Sequence, residues 1–146
     1  MGFSDDMNKF SQHVKINADK VVRKVVLDIG KSLVEKTPVG DANYWKMLPP
    51  PGYVGGHARA NWSHSEETQI IKEFEGVDKS GAGSINRIAS SVPAKAAGKV
   101  HFIQNSVPYI QALEDGHSKR QAPHGMVALT RVEFDGIIKK ITDGLK

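Results

Sequence analysis

Six histidines and no cysteine set the outer limits of what this chain can do chemically. The closest histidine pairs are His57 with His64 and His117 with His124, each seven residues apart. A zinc-binding helix needs His at i and i+4 plus a third ligand, as in HExxH, so this spacing argues for ordinary surface histidines and no metal. Without cysteine there are no disulfides, thiolate zinc sites or thiol nucleophiles, and a reducing compartment suits the chain. Ser118, His117 and Asp115 supply the residue types of a nucleophilic triad, but as sequence neighbours. Triads converge from distant parts of a fold beside an oxyanion hole. Gly81 and Gly83 form a G-x-G that lacks the third glycine and the preceding apolar strand of a dinucleotide fingerprint, and no P-loop lysine follows. Tyr44, Trp45 and Tyr53 beside Arg59 have the composition of a stacking surface for single-stranded nucleic acid. Aromatics packed at a loop or a subunit interface are the plainer reading. The chain is therefore not expected to be an enzyme, and no catalytic residue, cofactor or metal is assigned.

The elements that would position such residues follow from length and periodicity. A chain of 146 residues, 39% of them apolar, matches one domain spanning 1–146 with a single core. A net charge of +4 and a pI near 9.3 are mildly basic, short of the clustered Lys and Arg that phosphate tracking requires. Asp5 and Asp6 stand where a signal peptide would be basic, and Arg23, Lys24, Asp28 and Lys31 break the Val-rich run. A soluble protein of the cytoplasm, or of a particle assembled there, is the expectation, with no membrane contact.

Met7, Phe10, Val14, Ala18, Val21, Val25, Ile29 and Leu33 recur in steps of three and four, which predicts a long helix stopping before Pro38, with Ser4 as its N-cap. Lys9, Lys15, Lys20, Arg23, Lys24 and Lys31 mostly occupy its other faces and read as a solvated surface. From Thr37 the composition shifts to Pro and Gly, predicting an exposed loop at 40–56 whose Tyr44, Trp45, Met47, Leu48 and Tyr53 must fold back on the core or dock on a neighbour. Ala60–Ser65 and Thr68–Glu75 read as two strands paired in a hairpin. Ile85, Ile88, Ala89 and Val92 predict a short helix ending at Pro93, Val100 to Asn105 a strand, and Val107 to Tyr109 an extended segment. Val127, Arg131, Phe134, Ile138, Ile141 and Leu145 predict a C-terminal helix, weakened at Gly136. The order implies an α+β fold: an antiparallel sheet with a long N-terminal, a short middle and a C-terminal helix on one face.

Three stretches carry a resemblance. Thr37, Pro38, Val39 and Gly40 lead to Gly55, Gly56, His57, Ala58, Arg59, Ala60, Asn61 and Trp62; Asp78, Ser80, Gly81 and Ala82 precede the short helix; and Val100 to Val127 contains Asn105, Pro108, Tyr109, Leu113, Glu114, Gly116, Gln121, Pro123, Gly125 and Met126. Together they resemble the tail-completion or head-to-tail connector (neck) proteins of long-tailed bacteriophages, including the minor tail protein Z type of phage lambda. The differences are Asp115 where an aromatic is common, the inserted Lys119 and Arg120 ahead of Gln121, and the Pro-rich loop at 40–56. Read as residues, Asn105 and Pro108 end a strand in a fixed turn, Tyr109 and Leu113 anchor it by burial, and Glu114 is a partner for a nearby basic group. Pro123 and Gly125 shape an exposed loop bearing Lys119, Arg120 and His124.

The resemblance implies a virion subunit without catalysis of its own, forming a ring, expected to be sixfold, at the phage neck or tail terminus. Its partners would be copies of itself and neighbouring connector, tail terminator or tail tube proteins, with basic side chains facing DNA in the channel as a further expectation. A ring contact is heterologous, so the acidic stretch from Glu66 to Asp78 and a basic stretch at Lys79 to Lys99 or Lys119 to Arg131 are the expected opposing faces. Subunit or partner contacts are expected at Trp45, Tyr53, Arg59, Trp62, Glu73, Arg87, Tyr109, Glu114, His117, Lys119, Arg120 and His124. The competing expectation is a nucleic-acid-binding module built on the basic N-terminal helix and the Trp45, Tyr53 and Arg59 region.

Overall fold

The computed structural model describes residues 2–44 and 46–144. Trp45 and Leu145, and the side chains of Val14 and Tyr44, lie outside the described residues. The architecture is the expected α+β: helix α1 (Phe3–Lys36), α2 (His57–Ala60), strand β1 (Trp62–Glu66), α3 (Ala82–Ser91), β2 (His101–Asn105), α4 (Ile110–Glu114) and α5 (Val127–Asp143), with a 3₁₀ turn at Ala42–Tyr44.

Helix α1 begins two residues earlier than Ser4 as its cap would dictate. Gly2 is the cap, and the Asp5 carboxylate accepts its N–H. At 34 residues the helix is about 51 Å long, more than this core can cover. Only its second half is buried, through Val26, Leu33 and Val34. Every described side chain from Phe3 to Ile16 is exposed, and the first inward tie is Asp19, which accepts the Ala97 N–H at 3.0 Å. The end comes where Pro38 forbids continuation and the Thr37 hydroxyl turns back to the Leu33 carbonyl.

The predicted hairpin does not form. β1 pairs antiparallel with β2 in the register Trp62 to Asn105, His64 to Ile103 and Glu66 to His101, in a two-stranded sheet. The chain leaves β1 at Glu67, whose φ of +63° turns it off the strand path. Residues 68–75, read from sequence as the second strand, run as a strap held by side-chain amides: Gln104 accepts the Ile70 N–H, and Asn61 bonds both the N–H and the carbonyl of Phe74. β2 competes better for β1 because Ile103 reaches the core, whereas Ile71 in the strap packs on nothing and stays exposed.

The core joins Val26, Leu33 and Val34 of α1, Trp62 of β1, and Ile88 and Val92 of α3 to Ala96, Ala122 and Met126. Helix α5 lies against the C-terminal half of α1, tied by a Ser32–Thr130 hydroxyl bond of 3.0 Å and a Lys36–Glu133 ion pair of 2.9 Å. Helix α4 was not foreseen; it follows directly on the Pro108–Tyr109 turn. In the loop at 40–56 neither Met47 nor Leu48 folds back on the core, and Leu48 is 95% exposed.

Candidate functional site

Two of the resembling stretches meet in one buried bracket where α1 ends. The Trp62 indole N–H donates to the Thr37 hydroxyl at 2.6 Å, and Arg59 donates to the carbonyls of Thr37, Glu35 and Lys79. Burial lowers the Arg59 pKa against the opposing pull of Asp78 and Glu35. Asp78 accepts the N–H groups of Gly81 and Ser84, seating the start of α3, and the Ser84 hydroxyl donates to the Arg59 carbonyl. Arg87 completes the set, bonding the carbonyls of Ala60 and Trp62 with its guanidinium 4.0 Å from the Phe74 ring centre. Trp62, at 3% exposure, is a core residue and takes no part in the surface of the folded subunit, contrary to its expected role as a contact. Arg59 and Arg87 likewise hold the subunit together.

The third stretch forms a second internal device. Among the described residues Glu114 meets no basic partner; its carboxylate accepts the N–H groups of Met126, Val127 and Ala128 at 2.8, 2.8 and 2.9 Å, capping α5. Gly125, at φ +82°, is obligatory beside it, since a Cβ there would sit 2.5 Å from the Glu114 carbonyl oxygen and 2.7 Å from its carboxylate. Gln121 makes a two-point bond with the N–H and carbonyl of Val39, fastening this loop to the end of α1.

Between these devices lies a groove of about 700 Å³. Val39, Tyr53, Val54, Tyr109 and Leu113 give it an apolar wall, and among the described residues Lys46, Lys119 and Arg120 stand on its rim against one carboxylate, Asp41. Tyr109, expected to be buried, is 45% exposed and presents its ring here. Its pKa is raised by partial burial and by the nearby Tyr53 and Glu73, so its hydroxyl remains a donor. His57 lines the groove too, held by the Gly76 carbonyl and by Glu73, and both bonds raise its pKa. His117, Lys119, Arg120 and His124 are surface residues of the 117–124 loop. The structure therefore brings Tyr53, Tyr109, His117, Lys119 and Arg120 to one groove, places Glu73 behind His57, and leaves Trp62, Arg59, Arg87 and Glu114 inside the scaffold.

The acidic and basic stretches expected to face each other across a boundary meet within the subunit, through the Glu66–Lys99 ion pair at 3.1 Å as well as the Asp78 and Arg87–Phe74 contacts described above. A pairing missed from sequence joins His64 to His101 at 2.9 Å, with Ser91 on the far nitrogen of His64 and the Ala96 carbonyl on that of His101. Burial and the neighbouring His101 lower the His64 pKa. The cross-strand register of β1 and β2 creates this pair, which sequence spacing did not reveal. Among the described residues no group of three or more His, Asp or Glu side chains could hold a metal ion, and every buried side-chain polar atom has a partner. No helix among them is long and apolar enough to cross a membrane.

The exposed half of α1 is the other prominent surface. Phe3, Met7 and Phe10 fall on one face at steps of four and three, and Phe3 and Phe10 are 81% and 64% exposed. Compared with models of protein families, with curated proteins and with solved structures, the chain finds no match.

Proposed function

We propose that this chain is a structural subunit of a long-tailed phage, assembling into a ring at the neck or tail terminus and carrying out no catalysis of its own. One observation carries the reading: a helix whose first four turns hold Phe3, Met7 and Phe10 in water with no core to cover them. Apolar side chains lined up on one helix face mark a surface that is completed by a partner. The three resembling stretches support the same reading, because their Thr37, Arg59, Trp62, Asp78 and Glu114 form the bonds that fix the scaffold, as a signature shared across an assembly family would. The nucleic-acid reading loses its most useful cation, since Arg59 is engaged by three backbone carbonyls.

Light scattering coupled to size exclusion, over a concentration and salt series, tests the proposal. The expected result is a discrete ring-sized species, or a monomer that converts to one when the neighbouring virion component is added. A strict monomer under both conditions that retains labelled DNA at physiological salt would replace the ring with a nucleic-acid module.

A further inference from the structure

We propose that the exposed arm of α1, residues 3–18, seats in the Val54–Tyr109 groove of a second copy of this chain, joining subunits head to tail. The inference rests on the assembly reading above and names the contact that performs it.

The arm cannot satisfy itself. Helix α1 is unbroken from Phe3 to Lys36, and the groove opens immediately after its last turn, at Pro38 and Val39. Phe10 and Thr37 are separated by 27 residues of helix, roughly 40 Å along the axis, so arm and groove of one subunit lie at opposite ends of a rod. Only another copy can bring them together.

The two surfaces match in chemistry. Phe3, Met7 and Phe10 present an apolar ridge, and the groove offers an apolar wall of Val39, Val54 and Leu113 with the rings of Tyr53 and Tyr109. Asp6 borders that ridge and Asp5 stands in the same first turn, giving the tip of the arm two negative charges. Among the described residues that line the groove, the basic Lys46, Lys119 and Arg120 outnumber the acidic Asp41, a net positive edge that suits the tip. Either basic or neutral chemistry at the tip would lack this fit, and an acidic rim would oppose it.

The area sets the strength. The exposed parts of two Phe side chains and a Met offer roughly 350–400 Å² on the arm, and the groove offers less. About 1,000 Å² in total is the lower edge of a specific protein interface. A single arm-in-groove contact is thus weak, and the assembly gains stability when a closed circuit makes the last contact intramolecular.

The natural absence of cysteine makes the test clean, because any engineered disulfide reports one chosen contact. Full-length Met7→Cys is mixed with full-length Val54→Cys under mild oxidation, with each variant alone as control. The mixed disulfide is expected to form, with little Met7→Cys homodimer. Asp6→Lys alone, or Lys119→Glu with Arg120→Glu alone, should cut its yield roughly threefold, and combining the swapped partners should restore it. That restoration cannot come from a damaged fold. A dominant Met7→Cys homodimer means that arms pair with arms and overturns the proposal. A disulfide from Met7→Cys to another virion component overturns it in favour of that component. Normal assembly without the mixed disulfide also overturns it and leaves the ring reading standing, whereas failure of the unsubstituted chain to assemble at all removes both.

Discussion

Both carboxylate oxygens of Glu114 accept backbone N–H groups at the start of α5, three in all. Glu114→Ala leaves those donors to water and should lower stability by about 1–2 kcal/mol, read as a lower urea midpoint at unchanged m-value. Glu114→Gln, which keeps an acceptor oxygen but loses the charge, should fall between. Gly125→Ala should cost at least as much, because it combines a left-handed backbone with a collision against the same carboxylate. The pH dependence belongs to the buried His64. Its folded pKa lies below the unfolded value near 6.5, so the stability from keeping it neutral is complete above that value and lost as pH falls through the folded pKa. His57 acts in the opposite sense: its raised pKa gives stability that is complete below the unfolded value and lost as pH rises through the folded one. His57 is the more exposed of the two and solvent screens its bonds, so stability should decline on acidification from pH 7, and His64→Gln should flatten that decline in thermal melts across pH 5–7. At this scale the sequence identified the residues better than their partners. Glu114, Arg59 and Trp62 stood out by type, but the groups they bond are backbone N–H groups, carbonyls and a threonine hydroxyl, which leave no pattern in the letters.

The helices were legible because periodicity reports them directly: α1, α3 and α5 all lie where steps of three and four place them. The second strand was misread because β-branched Thr68, Ile70 and Ile71 satisfy strand propensity without saying what they pair with. Pairing was decided by the apolar reach of Ile103 in β2 and by the Glu67 turn, and the strap took its bonds from Asn61 and Gln104 instead. Such an element opens more easily than a strand in a ladder. Asn61→Ala should speed hydrogen exchange at the Phe74 amide well before it affects β1 or β2, and uniform acceleration across all three would show that the strap is part of the cooperative core.

The whole molecule divides at Asp19 into a packed body and a helical arm, and the groove that matches the arm was not legible at all, since it is assembled from residues 38–58 and 109–121 by the Gln121–Val39 bond. Removing residues 2–16 strips no described buried side chain, so the thermal midpoint of the body should stay within about 2 °C while ring-sized species disappear from light scattering. A fall of 10 °C would instead make the arm part of the fold. The rod-like α1, with its arm at one end and the groove at the other, has a geometric corollary. Subunits that hold one another by unlike ends, where the rotation between them closes, form a circle with a direction of travel and no two-fold axis in its plane. Its upper and lower rims are then different surfaces, so one ring can meet two different neighbours, one above and one below, without either mistaking the other's side for its own.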